Sequence, residues 1–84
     1  MTHDEVFAKV RDILAADFKV PAAKVTPEAS FRGTLGMDSL DAVDLIYLLG
    51  KEFKVKATVD QFKDLHTVQK VVDHLVARTS GQPG

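Results

Sequence analysis

A serine near the middle of this 84-residue chain lies between aspartates at the predicted start of a helix. Ser39 follows Asp38, a residue type that caps helix N-termini, and Gly36 just upstream suits a tight turn. The apolar residues that follow recur at helical spacing: Leu40, Val43, Ile46 and Leu49. Ser39 is therefore predicted in the first turn of a helix, where backbone N–H groups lack partners and the helix dipole is positive. Because an anion is stabilised there, the pattern suits a group linked to Ser39 through a phosphodiester.

Two other roles for Ser39 follow from residue types alone. A serine after an aspartate at a helix start is usually part of a cap, so a cap without chemistry stays an alternative at this point. A catalytic serine needs a base and an oxyanion hole, and the sequence lacks the Gly-x-Ser-x-Gly elbow of many hydrolases. The histidines are not evidently directed at Ser39: His3, His66 and His74. We therefore predict no catalytic residue.

The composition narrows the classes of protein and of site. The chain contains no cysteine, which excludes disulfides and thiol nucleophiles, so thiol chemistry would have to come from an attached group. The formal net charge is −1, too small for the global field that attracts nucleic acid. His66 and His74 have no further ligand cluster beside them in the sequence, so no metal site is predicted, and His74 is expected to be a solvated helix residue. The short apolar runs and the polar N-terminus predict a cytoplasmic protein without membrane insertion.

The first part of the chain is predicted to form two helices joined by a long loop. Thr2 begins a capping-box pattern, and the apolar stripe behind it predicts a first helix that ends by Pro21. Residues 22–35 mix proline, glycine, serine and threonine with a few apolar anchors, which is typical of an ordered loop. A second helix is predicted from Asp38 to about Phe53.

The second part is predicted to add a short helix and a long one. Apolar spacing favours a short third helix over 59–65 and a fourth helix capped by Thr67. We expect an all-α fold, a small bundle of three main helices plus one short helix, with the long loop between the first and second helices. One domain is predicted over 1–78, followed by a flexible C-terminal tail over 79–84.

The segment from Asp38 to Leu45 resembles the prosthetic-group site of the acyl carrier protein family. That pattern is Asp-Ser-Leu followed by Asp-x-Val-Glu-Leu, and this chain matches it with Asp44 in place of glutamate. The upstream Phe31 and the Leu35-Gly36 pair agree with the family's loop, and the segment 65–68 resembles its entry into the last helix. The resemblance extends over all but the last six or so residues.

The resemblance implies a covalently attached 4′-phosphopantetheine, derived from coenzyme A, on Ser39, with Asp38 and Leu40 beside it. The arm would hold acyl groups as thioesters and present them to other enzymes, so the protein would be a carrier and not an enzyme. The implied partners are a phosphopantetheinyl transferase and acyl-loading and acyl-processing enzymes with basic docking patches. We expect a monomer.

Two further sets of residues follow from the resemblance. The predicted partner contacts are Asp41, Asp44, Tyr47 and Met37. Acidic residues near a helix N-terminus also simply favour the helix dipole, which is the alternative for Asp41 and Asp44. The predicted lining of a pocket for the acyl chain is Leu45, Ile46, Leu49, Phe53, Phe62, Leu65 and Val72. These side chains would equally form an ordinary closed core.

Departures from the family pattern lie toward the end of the second helix. The family usually has a pair of glutamates there, whereas this chain has Gly50, Lys51, Lys54 and Lys56. Gly50 is expected to weaken or bend the helix, and the lysines would repel a basic partner. These differences favour a specialised carrier for fatty acid, specialised lipid or polyketide biosynthesis. The alternatives are an unmodified helical protein-interaction module and an aminoacyl or peptidyl carrier.

Overall fold

A computed structural model describes residues 2–80, which form a bundle of four α-helices. The helices are α1 (His3–Asp17), α2 (Ser39–Phe53), α3 (Val59–Phe62) and α4 (Val68–Ser80). The all-α prediction of three main helices, one short helix and a long loop between the first two main helices is confirmed. No helix in the described part of the chain is both long enough and apolar enough to cross a membrane.

The first helix begins with the predicted capping box. The Thr2 hydroxyl accepts a hydrogen bond from the Glu5 backbone N–H at 3.2 Å, and the Glu5 carboxylate accepts one from the Thr2 N–H at 2.9 Å. Since the Thr2 N–H stabilises the ionised carboxylate, the pKa of Glu5 lies below its ordinary value. The buried face of α1 consists of Val6, Val10 and Leu14, and it packs against α4 and α2.

The core joins side chains from every helix and from the long loop. Its fully buried members come from α1, α2 and α4, and Phe62 adds the side chain that holds α3. The loop contributes Val25, Ala29 and Phe31. Because each large apolar side chain contributes about 1.5–3 kcal/mol when it is buried, these loop residues fix the path of the chain toward α2.

The long loop has more structure than its composition predicts. Residues Ala22–Lys24 form a short 3₁₀ helix, and Ser30 pairs with Thr67 in an isolated antiparallel bridge. The Phe31 N–H donates to the His66 carbonyl at 3.1 Å, and the Val68 N–H donates to the Ala29 carbonyl at 3.0 Å. These main-chain bonds tie the loop to the start of α4, a long-range pairing that local sequence patterns do not reveal.

Two predicted boundaries differ from the observed ones. α3 ends at Phe62, whereas the apolar spacing predicted a helix up to residue 65. The Leu65 N–H instead donates to the Phe62 carbonyl at 3.0 Å in a turn, which brings Thr67 to its bridge with Ser30. Thr67 also caps α4, because its hydroxyl accepts from the Lys70 N–H at 3.3 Å. α4 continues to Ser80, two residues beyond the predicted domain boundary, and the rest of the predicted tail, 81–84, lies outside the described residues.

Candidate functional site

Ser39 is the first residue of α2, and a capping box precedes it. Asp38 is the N-cap, with extended backbone, and its Oδ1 accepts from the Asp41 N–H at 2.9 Å. The Asp41 Oδ2 accepts from the Asp38 N–H at 3.5 Å. The prediction that Asp38 caps the helix is confirmed. Ser39 itself is exposed.

The turn before α2 fixes where Ser39 lies. Gly36 has a φ of +66°, in the left-handed region that other residues rarely adopt. The following Met37 N–H donates to the Phe31 carbonyl at 2.8 Å, and the Met37 side chain lies in the core with 4% of its surface exposed. Met37 therefore anchors the turn, and the prediction that it contacts partners is wrong, because a partner on the folded surface cannot reach it.

Arg32 is the residue that contacts the Ser39 hydroxyl. Its Nη2 donates to Ser39 Oγ at 2.7 Å, which places a guanidinium directly against the oxygen. Residue types and spacing do not indicate Arg32, because a single arginine in a loop has no periodic signal. The two residues lie seven positions apart, on either side of the turn at Gly36.

The outer face of α2 carries both acidic and apolar side chains. Asp44 is exposed, Asp41 is partly buried, and Tyr47 is 68% exposed. Leu40 and Val43, which the helical spacing assigned to the apolar stripe, are 76% and 46% exposed. The buried face of α2 instead consists of Leu45, Ile46, Leu49 and Phe53. An exposed apolar surface therefore adjoins Ser39, and Val59 at the start of α3 adds to the exposed apolar residues.

A cavity of about 450 Å³ opens beside Ser39 between α2, α3 and the loop. Its volume lies within the range of small-molecule sites, and its walls are mainly apolar. Four residues of the predicted acyl pocket line it: Leu45, Ile46, Phe62 and Leu65. The other three, Leu49, Phe53 and Val72, are buried in the core and are not part of this lining. Ser39 and Arg32 lie on the same cavity.

His74 packs behind the cavity wall and is not the solvated residue that the sequence predicted. Its ring meets the Phe62 ring edge to face, with centroids 5.1 Å apart and planes at 74°. Burial lowers the pKa of His74 from its ordinary value, and the nearby positive charge of Arg78 lowers it further. Within residues 2–80, no group of three or more histidine, aspartate or glutamate side chains is placed to hold a metal ion.

Comparisons with known proteins agree on one family. Residues 8–75 match a family model described as the phosphopantetheine attachment site. An acyl carrier protein of Thermosynechococcus vestitus is 43% identical over 75 residues, which cover 89% of this chain and 93% of that protein. An acyl carrier protein of Chlorobium phaeovibrioides is 37% identical over 78 residues, which cover 93% of this chain and 100% of that protein.

A solved structure shares the fold. It is that of an acyl carrier protein from Enterococcus faecalis, with a TM-score of 0.76 and 28% sequence identity. The match covers 93% of this chain and 99% of that chain, so the similarity includes the loop as well as the helices.

Proposed function

Because this chain belongs to the acyl carrier protein family, whose members carry a covalently attached 4′-phosphopantetheine, we propose that Ser39 is the attachment site. The observation that carries the proposal is the position of its hydroxyl. The side chain is exposed in the first turn of α2, 2.7 Å from a guanidinium and beside an apolar cavity. Family members are carriers and not catalysts, and fatty acid biosynthesis is the usual role of such relatives.

The residues around Ser39 fit a phosphodiester. A phosphate on Oγ would lie at the positive end of the α2 dipole and close to the cationic side chain of Arg32. The carboxylates of Asp38 and Asp41 each accept a hydrogen bond from a backbone N–H in the capping box, and these bonds stabilise their negative charges before the phosphate is added. Leu40 is exposed next to Ser39, where it can contact the arm or the transferase that adds it.

The carrier function follows from this attachment. When bound, the group supplies a terminal thiol that holds an acyl chain as a thioester. The protein fixes the arm at one point, the start of α2. Because the arm tethers the cargo there, the effective concentration of the cargo at each partner enzyme rises. The mainly apolar cavity beside Ser39 is the proposed site for the first part of an acyl chain, and Leu45, Ile46, Phe62 and Leu65 form part of its walls.

We propose the outer face of α2 as the docking surface for partner enzymes. Asp44 and Asp41 supply negative charge for a basic partner, and Tyr47 supplies an exposed aromatic ring. Leu40 and Val43 add apolar area between these residues and Ser39. Lys51 and Lys54 mark where this acidic surface ends, because they would repel the same basic partner. The lysines favour a specialised carrier of fatty acid, specialised lipid or polyketide biosynthesis.

Intact mass tests the attachment directly. The purified protein is incubated with coenzyme A and a permissive phosphopantetheinyl transferase, alongside Ser39→Ala and Ser80→Ala. We expect the natural chain and Ser80→Ala to gain the mass of one phosphopantetheine, and Ser39→Ala to gain nothing. Circular dichroism of each variant checks whether the helices are intact.

Other outcomes separate the alternatives. A folded natural chain that gains no mass would favour an unmodified protein-interaction module over a carrier. A gain that persists in Ser39→Ala would place the group on another residue. A mass gain that depends on Ser39 would support the carrier. The acyl cargo would then be identified from the mass of the loaded protein after incubation with candidate acyl donors.

A further inference from the structure

We propose that Arg32 anchors the phosphate of the prosthetic group and directs the first part of the arm toward the cavity beside α2. This inference rests on Ser39 as the attachment site. It assigns a role to Arg32, a residue of the loop before α2 that is not among the residues on which the family resemblance rests.

The geometry starts from the contact between Arg32 and Ser39. Arg32 Nη2 lies 2.7 Å from Ser39 Oγ and donates a hydrogen bond to it. In the modified protein that same oxygen is the ester oxygen, so the phosphorus is one bond away from the atom that Arg32 contacts. The non-bridging phosphate oxygens then come within reach of the guanidinium, whose planar set of N–H donors matches a phosphate. Because arginine is the donor, the contact does not depend on the hydroxyl proton that modification removes.

The backbone around Arg32 is held in place by the loop. The Ser30 hydroxyl accepts from the Gly33 N–H at 3.0 Å and from the Thr34 N–H at 3.1 Å, which closes a turn around Arg32. Phe31, the residue before it, is buried and donates its N–H to the His66 carbonyl. Arg32 therefore extends from a fixed backbone, and less conformational freedom is lost when it binds a phosphate.

The charge of Arg32 is available although aspartates lie close to Ser39. Over residues 2–80, the ion pairs are His3 with Asp73, Lys9 with Glu52, and Arg11 with Asp12. Arg32 takes part in none of these pairs, and its hydrogen-bond partner is the Ser39 hydroxyl. A phosphodiester on Ser39 would thus bring an anion to a cation that has no carboxylate partner in the described residues.

The position of Arg32 gives the arm a direction. Arg32 and Ser39 both line the cavity between α2 and α3, so a phosphate bound by Arg32 lies on the cavity side of Ser39. Leu40, the residue after Ser39, is exposed and is not part of the cavity lining. Since Arg32 is exposed, the ion pair is expected to change the population of the cavity-side arm by roughly two- to fivefold.

Phosphorus-31 NMR of the modified protein tests the anchor without relying on a partner enzyme. The natural chain, Arg32→Ala, Arg32→Lys and Lys63→Ala are converted to the modified form, and intact mass confirms one group on each. Lys63 is the matched control, because it is another cation in the cavity lining but does not contact Ser39. The denatured modified protein gives the resonance of a free phosphodiester.

We expect the resonance of the natural chain to differ from the denatured reference. Arg32→Ala should move the phosphorus resonance at least halfway to that reference and sharpen it. Arg32→Lys should move the resonance less, and Lys63→Ala should leave it unchanged. Added salt should shift the resonance of the natural chain in the same direction as Arg32→Ala, because screening weakens an exposed ion pair.

Two results would overturn the anchor. One is a resonance in Arg32→Ala that coincides with the natural chain, and the other is an equal shift in Lys63→Ala. If a variant is modified too slowly, the salt titration of the natural protein still decides, since an insensitive resonance rules out the ion pair. A natural chain that gains no mass contradicts the attachment at Ser39, whereas a mass gain with an unperturbed phosphorus resonance contradicts Arg32 alone.

Discussion

The two ends of α2 are fixed by different kinds of interaction. At the N-terminal end, side chains of Asp38 and Asp41 bond to backbone N–H groups, and Ser39 stays exposed. At the C-terminal end, Lys54 takes the left-handed conformation with a φ of +54°, and its N–H donates to the Gly50 carbonyl. The Val55 N–H donates to the same carbonyl at 3.1 Å. Polar side chains therefore hold one end, and main-chain bonds hold the other.

The glycines near the two ends show the same contrast. Gly36 needs its φ of +66°, but a Cβ on it would meet nothing within 4 Å. Gly50 has no such φ, yet a Cβ on it would lie 3.1 Å from the Val55 carbonyl oxygen and 3.3 Å from the Ala57 Cβ. The N-terminal end therefore needs a particular backbone shape that keeps Ser39 open, and the C-terminal end needs close packing. We expect the loss of close packing at the C-terminal end to cost more stability than the loss of the cap at the N-terminal end.

The largest effect on stability is expected from Gly50→Val. The added methyl groups would press on the returning chain at Val55 and Ala57, and overpacking typically costs about 1–3 kcal/mol. We expect the free energy of unfolding to fall by about 2 kcal/mol. Urea denaturation followed by circular dichroism measures it.

Lys51→Val is the matched control for Gly50→Val. Lys51 is exposed on the same turn of α2, so this variant places a β-branched residue on that turn without the close contact. Its unfolding free energy should stay within about 0.5 kcal/mol of the natural chain. Equal losses in the two variants would show that close packing at Gly50 does not fix this end of α2.

Asp38→Ala should have the next largest effect on stability. It removes the N-cap acceptor of the Asp41 N–H, and such a change costs about 1 kcal/mol. Asp38→Asn should recover most of that loss, because its side-chain carbonyl can accept the same hydrogen bond. Hydrogen exchange of the amides at the start of α2 locates the effect, and faster exchange of the Asp41 amide is expected in Asp38→Ala.

Asp44→Ala is the control for the cap. Asp44 is exposed on the same helix and lies outside the capping box. The unfolding free energy of Asp44→Ala should therefore differ from that of the natural chain by no more than about 0.5 kcal/mol. If Asp44→Ala is as destabilising as Asp38→Ala, the general charge at the helix N-terminus stabilises α2, and the specific cap does not.

The sequence predicts the features that depend on regular spacing or on residue type at a helix end. The spacing of apolar residues located α1, α2 and α4, and the cap at Asp38 followed from its residue type and position. The same spacing placed Leu40 and Val43 in the apolar stripe, although they are exposed. Periodicity identifies a helix but does not say how far neighbouring elements cover it.

The features that the sequence did not predict depend mainly on contacts between different segments of the chain. The bridge between Ser30 and Thr67 and the early end of α3 follow from the pairing of the loop with α4. Arg32 and Ser39 are only seven residues apart, but their contact depends on how the chain turns between them and has no periodic signal. α2 continues through Gly50 to Phe53, and the missing side chain at Gly50 allows the close approach of Val55 and Ala57, which the sequence did not indicate.

The smallest effect is expected from Lys54→Gly, and it should be stabilising. Lys54 has a φ of +54° and a ψ of +43°, which glycine adopts without the steric cost to a Cβ. We expect the unfolding free energy to rise by about 0.5–1 kcal/mol, since part of the gain is offset by the greater freedom of glycine in the unfolded chain. Lys54→Ala distinguishes the effect of the left-handed backbone from the effect of the charge, because it removes the ammonium group but keeps the Cβ. If Lys54→Ala stabilises the protein equally, relief of repulsion among neighbouring lysines explains the gain, and the backbone at this end of α2 is not strained.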